Sequence, residues 1–192
     1  MDSDQNTATT ATIIKDSFTH RIRSIHVDGM EYHINVYLPL TYGMNEDTYL
    51  VIYYKDAFVC TEIVTGTKQI LELSGRIANT ILVGISHDGD FMRFVSDRSR
   101  DLIPTHVPQN KVMVYPEATP ASGGGEHFLA FIEHELFPLV EKEYRVDTTN
   151  RGLIGSSYGG LFAAWTMVNR PELFHRYIIT SPALYWDDYL FL

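Results

Sequence analysis

From His20 onward polar and apolar residues alternate, with Ile22, Ser24 and His26 on one face and Arg21, Arg23, Ile25 and Val27 on the other. Asp28-Gly29 breaks the alternation, and an apolar-rich run from Tyr32 to Leu38 follows, ended by Pro39. Two such runs around an Asp-Gly pair predict a β-hairpin. Leu50 to Tyr54 and Ile81 to Ser86 are short continuous apolar runs, the pattern of strands buried on both faces. Between them, over residues 62–76, Ile63, Ile70 and Leu73 recur at helical spacing. The three segments read as strand, helix and parallel strand joined by a crossover. From His87 to Gly125 no period holds. This stretch contains Asp88-Gly89-Asp90, the arginines Arg93, Arg98 and Arg100, and several prolines and glycines, and it reads as a long functional or mobile loop. Residues 126–144 carry the clearest helical stripe, formed by Phe128, Phe131, Ile132, Leu136, Leu139 and Val140, and Pro138 predicts a kink or break in it. A short strand then runs into Gly155-Ser156-Ser157-Tyr158-Gly159-Gly160, and Leu161 to Val168 continues as a helix that Pro171 ends. Tyr177 to Ser181 reads as one more buried strand, followed by Pro182.

The 192 residues suit one domain, taken as 17–192, preceded by a polar, threonine-rich arm over residues 1–16. The formal net charge of −9 disfavours nucleic acid and anionic membrane surfaces as partners. No apolar run reaches membrane-spanning length and the N-terminus has no signal-peptide pattern, so the expectation is a cytoplasmic protein. Cys60 is the only cysteine, which excludes an internal disulfide and a cysteine zinc site. It reads as a small buried hydrophobe before it reads as a nucleophile. No metal or cofactor is expected.

The chemistry centres on Gly155-Ser156-Ser157-Tyr158-Gly159, a G-x-S-x-G pattern. A nucleophilic hydroxyl has to project from a tight strand-to-helix turn, and side chains two positions to either side would collide with neighbouring backbone; glycine at both flanks removes the collision. The helix behind the serine aims its free N–H groups and positive dipole end at a developing oxyanion. Ser157 is therefore the candidate nucleophile, in preference to Ser156 at the x position, and the Tyr158 N–H is the natural first oxyanion donor. A second donor is expected from the loop after the first parallel strand, Lys55-Asp56-Ala57-Phe58, at Ala57 or Phe58; a purely structural loop is the alternative.

Several ordered blocks resemble the esterase family that includes esterase D and the enterochelin (siderophore) esterases. They are Tyr37-Leu38-Pro39 with Tyr42, the strand Val51 to Ala57, Arg100-Asp101-Leu102-Ile103-Pro104, Gly124-Gly125 with Phe128-Leu129 and Glu135-Leu136-Phe137-Pro138, Gly155 to Gly160, Pro171 to Phe174, and Ser181 to Trp186. The resemblance runs from about residue 20 to the last. It implies an α/β-hydrolase fold, a mostly parallel sheet with helices on both faces, and hydrolysis of a small-molecule carboxylic ester through Ser157. Ser156 stands where the family often has His, and Ala57 where it often has Gly. The family's last strands and its catalytic His would lie beyond Leu192, so the chain reads as a truncated, nearly inactive piece of the fold.

Other candidates are weaker. His175 is the only histidine after Ser157 and is expected at the opposite edge of the sheet, roughly 20 Å away for a six-residue strand, too far to act as base. Asp187 and Asp188 follow the last strand on the correct side for a catalytic acid, with solvated loop carboxylates the more ordinary reading. His87 and His127 are expected at the active-site end, as candidates for lining the pocket or, less readily, for the base, with polar loop histidines the more ordinary reading. Arg100 is a candidate for holding an anionic or polar substrate group, beside an ion pair to Asp97 or Asp101. His127, Glu133 and His134 lack metal-protease spacing. Beside the esterase reading stand an acyltransferase on the same fold and a non-catalytic module that self-associates through an exposed sheet edge.

Overall fold

The apolar runs become one six-stranded sheet in the order β1-β2-β4-β3-β5-β6. The computed structural model describes residues 16–87, 89–108 and 122–189, so the expected N-terminal arm, apart from Asp16, lies outside the described residues. β1 (Ser17–Arg23) and β2 (Glu31–Tyr37) form the antiparallel hairpin, and β2 also runs antiparallel to β4 (Thr80–Ser86). β3 (Tyr49–Tyr54) is parallel to both β4 and β5 (Val146–Ser156), and β6 (Arg176–Thr180) is parallel to β5. The first strand stops at Arg23, earlier than the alternation suggests, because the Ser24 hydroxyl accepts the Val27 N–H at 3.0 Å and Asp28 and Gly29 both take left-handed backbone conformations.

Helices cover the sheet from both sides. α1 (Ala57–Leu73) lies over the small cluster of Tyr37, Tyr54 and Leu82. On the other face α3 (Gly125–Phe131), α4 (Phe137–Glu143) and α5 (Tyr158–Asn169) build the main core. There Phe128, Phe131, Ile132, Leu136, Val140 and Phe162 meet Tyr32, Val51, Tyr53 and Val83. Burial of large aromatic and aliphatic side chains at roughly 1.5–3 kcal/mol each makes this layer the main source of stability. The predicted break at Pro138 takes the form of a π-helical turn over Ile132–Leu136, after which α4 restarts with the proline in its first turn, where its missing N–H costs nothing. The same turn aims Glu135 at the hairpin bend, where its carboxylate accepts the Ser24 hydroxyl at 2.8 Å and the His26 Nδ1–H at 2.7 Å.

Three expectations need correction. Residues 91–102, expected within a long loop, form α2 (Phe91–Leu102), started by Asp90, whose carboxylate caps the Arg93 N–H at 2.9 Å. Its buried positions are Asp97, Ser99, Asp101 and Leu102, so its inward face is mostly polar and leaves no hydrophobic period. The apolar stripe of α1 points outward: Ile63, Ile70 and Leu73 are exposed, while Ala57, Thr61, Thr65 and Lys68 face the sheet. Finally, β6 is half-buried rather than buried. Among the described residues it pairs only with β5, and it leaves Ile178 exposed while Tyr177 and Ile179 reach the core.

Candidate functional site

β3 and β5 are neighbours; β3 ends at Tyr54, opposite Ile154, and β5 runs two residues further, to Ser156. Each passes straight into a helix, β3 into α1 and β5 into α5. Two helix N-termini therefore lie at the same end of two neighbouring strands. Each junction is made by a residue with positive φ. Asp56 sits at φ 63°, ψ 28°, and Ser157 at φ 56°, ψ −116°. A serine gains nothing local from such a conformation, which costs on the order of 1–3 kcal/mol unless the surroundings impose it.

The surroundings do impose it. The Ser157 N–H donates to the Thr180 carbonyl at 3.1 Å, and its own carbonyl accepts the N–H groups of Leu161 at 2.9 Å and Ala183 at 3.0 Å. The turn is tight enough that a Cβ on Gly155 would stand 2.0 Å from the Gly159 carbonyl oxygen. The two flanking glycines are not equivalent, contrary to the symmetrical account the motif suggests. A Cβ on Gly159 would meet nothing nearer than the Asp56 carboxylate at 3.5 Å, whereas one on Gly160 would press on Thr180 and Pro182 backbone at 3.0 Å. Within the motif, Ser156 is an exposed residue at the end of β5, and Ser157 is the residue thrust out at the turn.

The expected oxyanion donors sit where the two helices begin. Tyr158 is the first residue of α5, and no side chain caps that end. Ala57 and Phe58 open α1, whose end also lacks a side-chain cap; the Asp56 carbonyl takes the N–H groups of Val59 and Cys60, one turn further in. First-turn N–H groups have no partner within a helix, so these donors are directed out of the sheet edge. A cavity of about 380 Å³ adjoins this edge on the α1 side, walled by Asp56, Cys60, Arg98, Ile154, Ser156 and Thr180. Cys60 is half-buried, its thiol donates to the Asp56 carbonyl at 3.0 Å, and burial pushes the thiol up to about 11, out of the range of a thiolate nucleophile.

Beneath the site lies a buried polar cluster that the sequence pattern concealed. The Asp101 carboxylate, fully buried, accepts the Tyr32 hydroxyl at 2.9 Å, the His87 Nε2–H at 3.0 Å and the Arg100 Nε–H at 2.8 Å. Burial opposes its charge, but these donors and the nearby Lys55 hold it down to about 2. Lys55, the residue before Asp56, is itself buried; its ammonium stands 3.9 Å from Asp101 and 4.2 Å from the Phe128 ring centre without a hydrogen-bond partner among the described residues. Burial brings it down to about 8, against the pull of Asp101 and Asp56.

Of the other sequence candidates, Arg100 directs its guanidinium at Asp97 and Asp101 of its own helix, the ion-pair reading given beside substrate recognition. His87 follows β4, two strands from β5, and is turned to Asp101. His127 is exposed at the start of α3. His175 pairs with the Arg151 backbone, midway along β5 and away from Ser157. Asp187 is half-buried at the end of the described chain, and the side chain of Asp188 lies outside the described residues. No hydrogen bond joins the Ser157 hydroxyl to a histidine among the described residues. Sequence reasoning missed Asp56 and Arg98. Arg98 binds Asp56 through two bonds and reaches the Ser156 carbonyl; it stood in plain sight between the other arginines but in a segment read as loop.

A family model described as "Putative esterase" matches residues 25–189, a span that includes both junctions. The chain belongs to that family. It is 32% identical over 177 residues to the ferri-bacillibactin esterase BesA of Bacillus subtilis, a match covering 87% of this chain and 58% of BesA. Among solved structures, the BES protein from Bacillus cereus superposes with a TM-score of 0.81 at 24% identity, covering 97% of this chain and 69% of that one. The siderophore hydrolase EstA from Aspergillus nidulans gives a TM-score of 0.76 at 28% identity, covering 95% of this chain and 62% of EstA. The fold is that of the α/β-hydrolases. The chain thus spans little more than half the length of its curated relative BesA. Among the described residues no helix is long and apolar enough to cross a membrane, and no three metal-binding side chains gather.

Proposed function

We propose that this chain carries the nucleophile and oxyanion-binding part of a serine hydrolase acting on carboxylic esters, with siderophore esters as the substrate class. The observation that carries the reading is the strained Ser157 held between a glycine that admits no Cβ and an uncapped helix N-terminus. In this reading the Ser157 hydroxyl attacks the acyl carbon as a general base takes its proton. The Tyr158 N–H, with that of Ala57 or Phe58, stabilises the oxyanion. The alcohol leaves, and water then releases the acid from the acyl-enzyme. His127, exposed at the start of α3, belongs to the substrate side of this proposal, whereas the Arg100 guanidinium is taken up by Asp97 and Asp101. The siderophore class rests on the relatives, whose names specify ferri-bacillibactin and siderophore hydrolysis. A cytoplasmic setting is part of the same proposal and suits a chain whose lone thiol needs no oxidising compartment. The test is labelling by a fluorophosphonate, which Ser157→Ala is expected to abolish.

A second proposal rests on a separate observation. Among the described residues, Ile178 on β6 and the outward stripe Ile63, Ile70 and Leu73 on α1 are exposed apolar side chains. Such surface favours contact with a second copy of the chain. Sedimentation over a hundredfold concentration range is expected to show a monomer–dimer shift, which Ile178→Lys suppresses; one unchanging monomer peak rejects the idea.

A further inference from the structure

Arg98 joins both halves of the proposed oxyanion site. Its Nε and Nη2 groups donate to the Asp56 carboxylate at 2.7 and 3.1 Å, and Nη2 also donates to the Ser156 carbonyl at 3.2 Å. The guanidinium carbon stands 5.0 Å from the Tyr158 ring centre and 5.9 Å from that of Phe94. Both charged partners are largely shielded, with side-chain exposures of 17% and 11%. Each contact falls on a backbone feature the site depends on. Asp56 is the left-handed residue that turns β3 into α1 and so aims the Ala57 and Phe58 N–H groups. The Ser156 carbonyl belongs to the peptide unit whose N–H is that of Ser157, and this N–H is held by Thr180 on the opposite side. With its carbonyl and its N–H both anchored, that peptide plane cannot turn, and the positive φ of Ser157 is fixed relative to it.

We infer that Arg98 is a positioning residue that locks the α1 loop and the nucleophile turn into one rigid unit, setting the distance between the Ser157 hydroxyl and the second oxyanion donor. The inference rests on the esterase reading of Ser157 but concerns a different residue and geometry. A planar guanidinium can bridge a carboxylate bidentately and still reach a carbonyl; an ammonium offers one compact charge and cannot do all three. Both residues also line the cavity beside the turn.

The experiment compares wild type, Arg98→Lys, Arg98→Met and Arg98→Ala in two measurements. In the first, fluorophosphonate labelling of Ser157 is resolved into a maximal rate and a half-saturating concentration. Arg98→Met is expected to lower the maximal rate about a hundredfold, the scale of a 1 Å misplacement, with the half-saturating concentration little changed. Arg98→Lys is expected to recover only part, and added methylguanidinium to restore rate to Arg98→Ala. In the second, hydrogen exchange is followed over residues 55–60 and 155–160. Both segments are expected to loosen together in Arg98→Met while the β2 and β4 amides keep their protection, which shows that the variant is folded. Unchanged exchange in both segments overturns the clamp, whether or not the serine reacts. Unchanged labelling rates in Arg98→Met overturn its role in positioning. Absence of labelling in wild type together with coupled loosening in Arg98→Met leaves the clamp standing and counts against the esterase reading alone.

Discussion

Replacing Gly155 by alanine is expected to unfold the strand–helix junction and abolish reaction at Ser157. The added methyl would lie 2.0 Å from the Gly159 carbonyl oxygen and 2.3 Å from its carbon. Both are backbone atoms of a buried helix start, so no side chain can swing away and β5 must part from α5. That separation would also break the contacts that hold the nucleophile turn, the Ser157 bonds to Thr180, Leu161 and Ala183. A cost of about 4 kcal/mol or more, in the range reached only by severe core disruption, follows. Gly159→Ala is the informative partner. Its methyl meets only ordinary contacts, and a helical alanine is favoured over glycine by roughly 1 kcal/mol. Urea denaturation of the two variants should therefore separate them widely, with Gly155→Ala strongly destabilised and Gly159→Ala near wild type. Similar midpoints for both would mean that the turn is looser than the 2.0 Å approach requires.

Asp101→Ala is expected to cost about 3–5 kcal/mol, the loss found when one member of a buried ionic cluster is deleted and its partners remain. Tyr32, His87 and Arg100 would each lose an acceptor, and the buried Lys55 ammonium would lose its nearest negative charge. The pH dependence tests the cause. Because Asp101 is held at about 2 in the folded chain, below its ordinary 3.8, the folded state releases this proton more readily than the unfolded one. Its stabilisation is therefore complete above the unfolded value and is lost as pH falls from about 4 through about 2. That contribution is on the order of 2 kcal/mol. Asp101→Asn keeps the shape and an acceptor but not the charge, so its stability deficit should be smaller than that of alanine and should shrink as the solution is acidified. A deficit independent of pH between 5 and 2 would show that charge plays no part.

The sheet was legible because its strands are dense apolar runs, and Leu50 to Tyr54, Ile81 to Ser86 and the strand before Ser157 all appear where the pattern puts them. Pattern reading relies on apolar residues marking the inward face, and it failed where that premise fails. α2 turns Asp97 and Asp101 inward because arginines, a tyrosine and a histidine meet them there, a compensation visible only once distant segments are packed together. α1 misled in the opposite sense, with isoleucines outward and threonines inward, the latter bonded to the helix's own carbonyls and, at Thr61, to Tyr54. The serine turn could be read from five residues because its chemistry is local. The Arg98–Asp56 bridge could not, since its partners lie 42 positions apart and are joined only by the fold.

The central claim is that the turn at Ser157 presents a reactive nucleophile beside an oxyanion site. The most direct test is intact-mass analysis of the chain after treatment with a fluorophosphonate, with peptide mapping of the modified residue, beside Ser157→Ala and Ser156→Ala. The account predicts one adduct, on Ser157, retained in Ser156→Ala and absent from Ser157→Ala, and formed slowly because no histidine among the described residues bonds the Ser157 hydroxyl. No adduct on the folded wild-type chain, or an adduct that persists in Ser157→Ala, would contradict it.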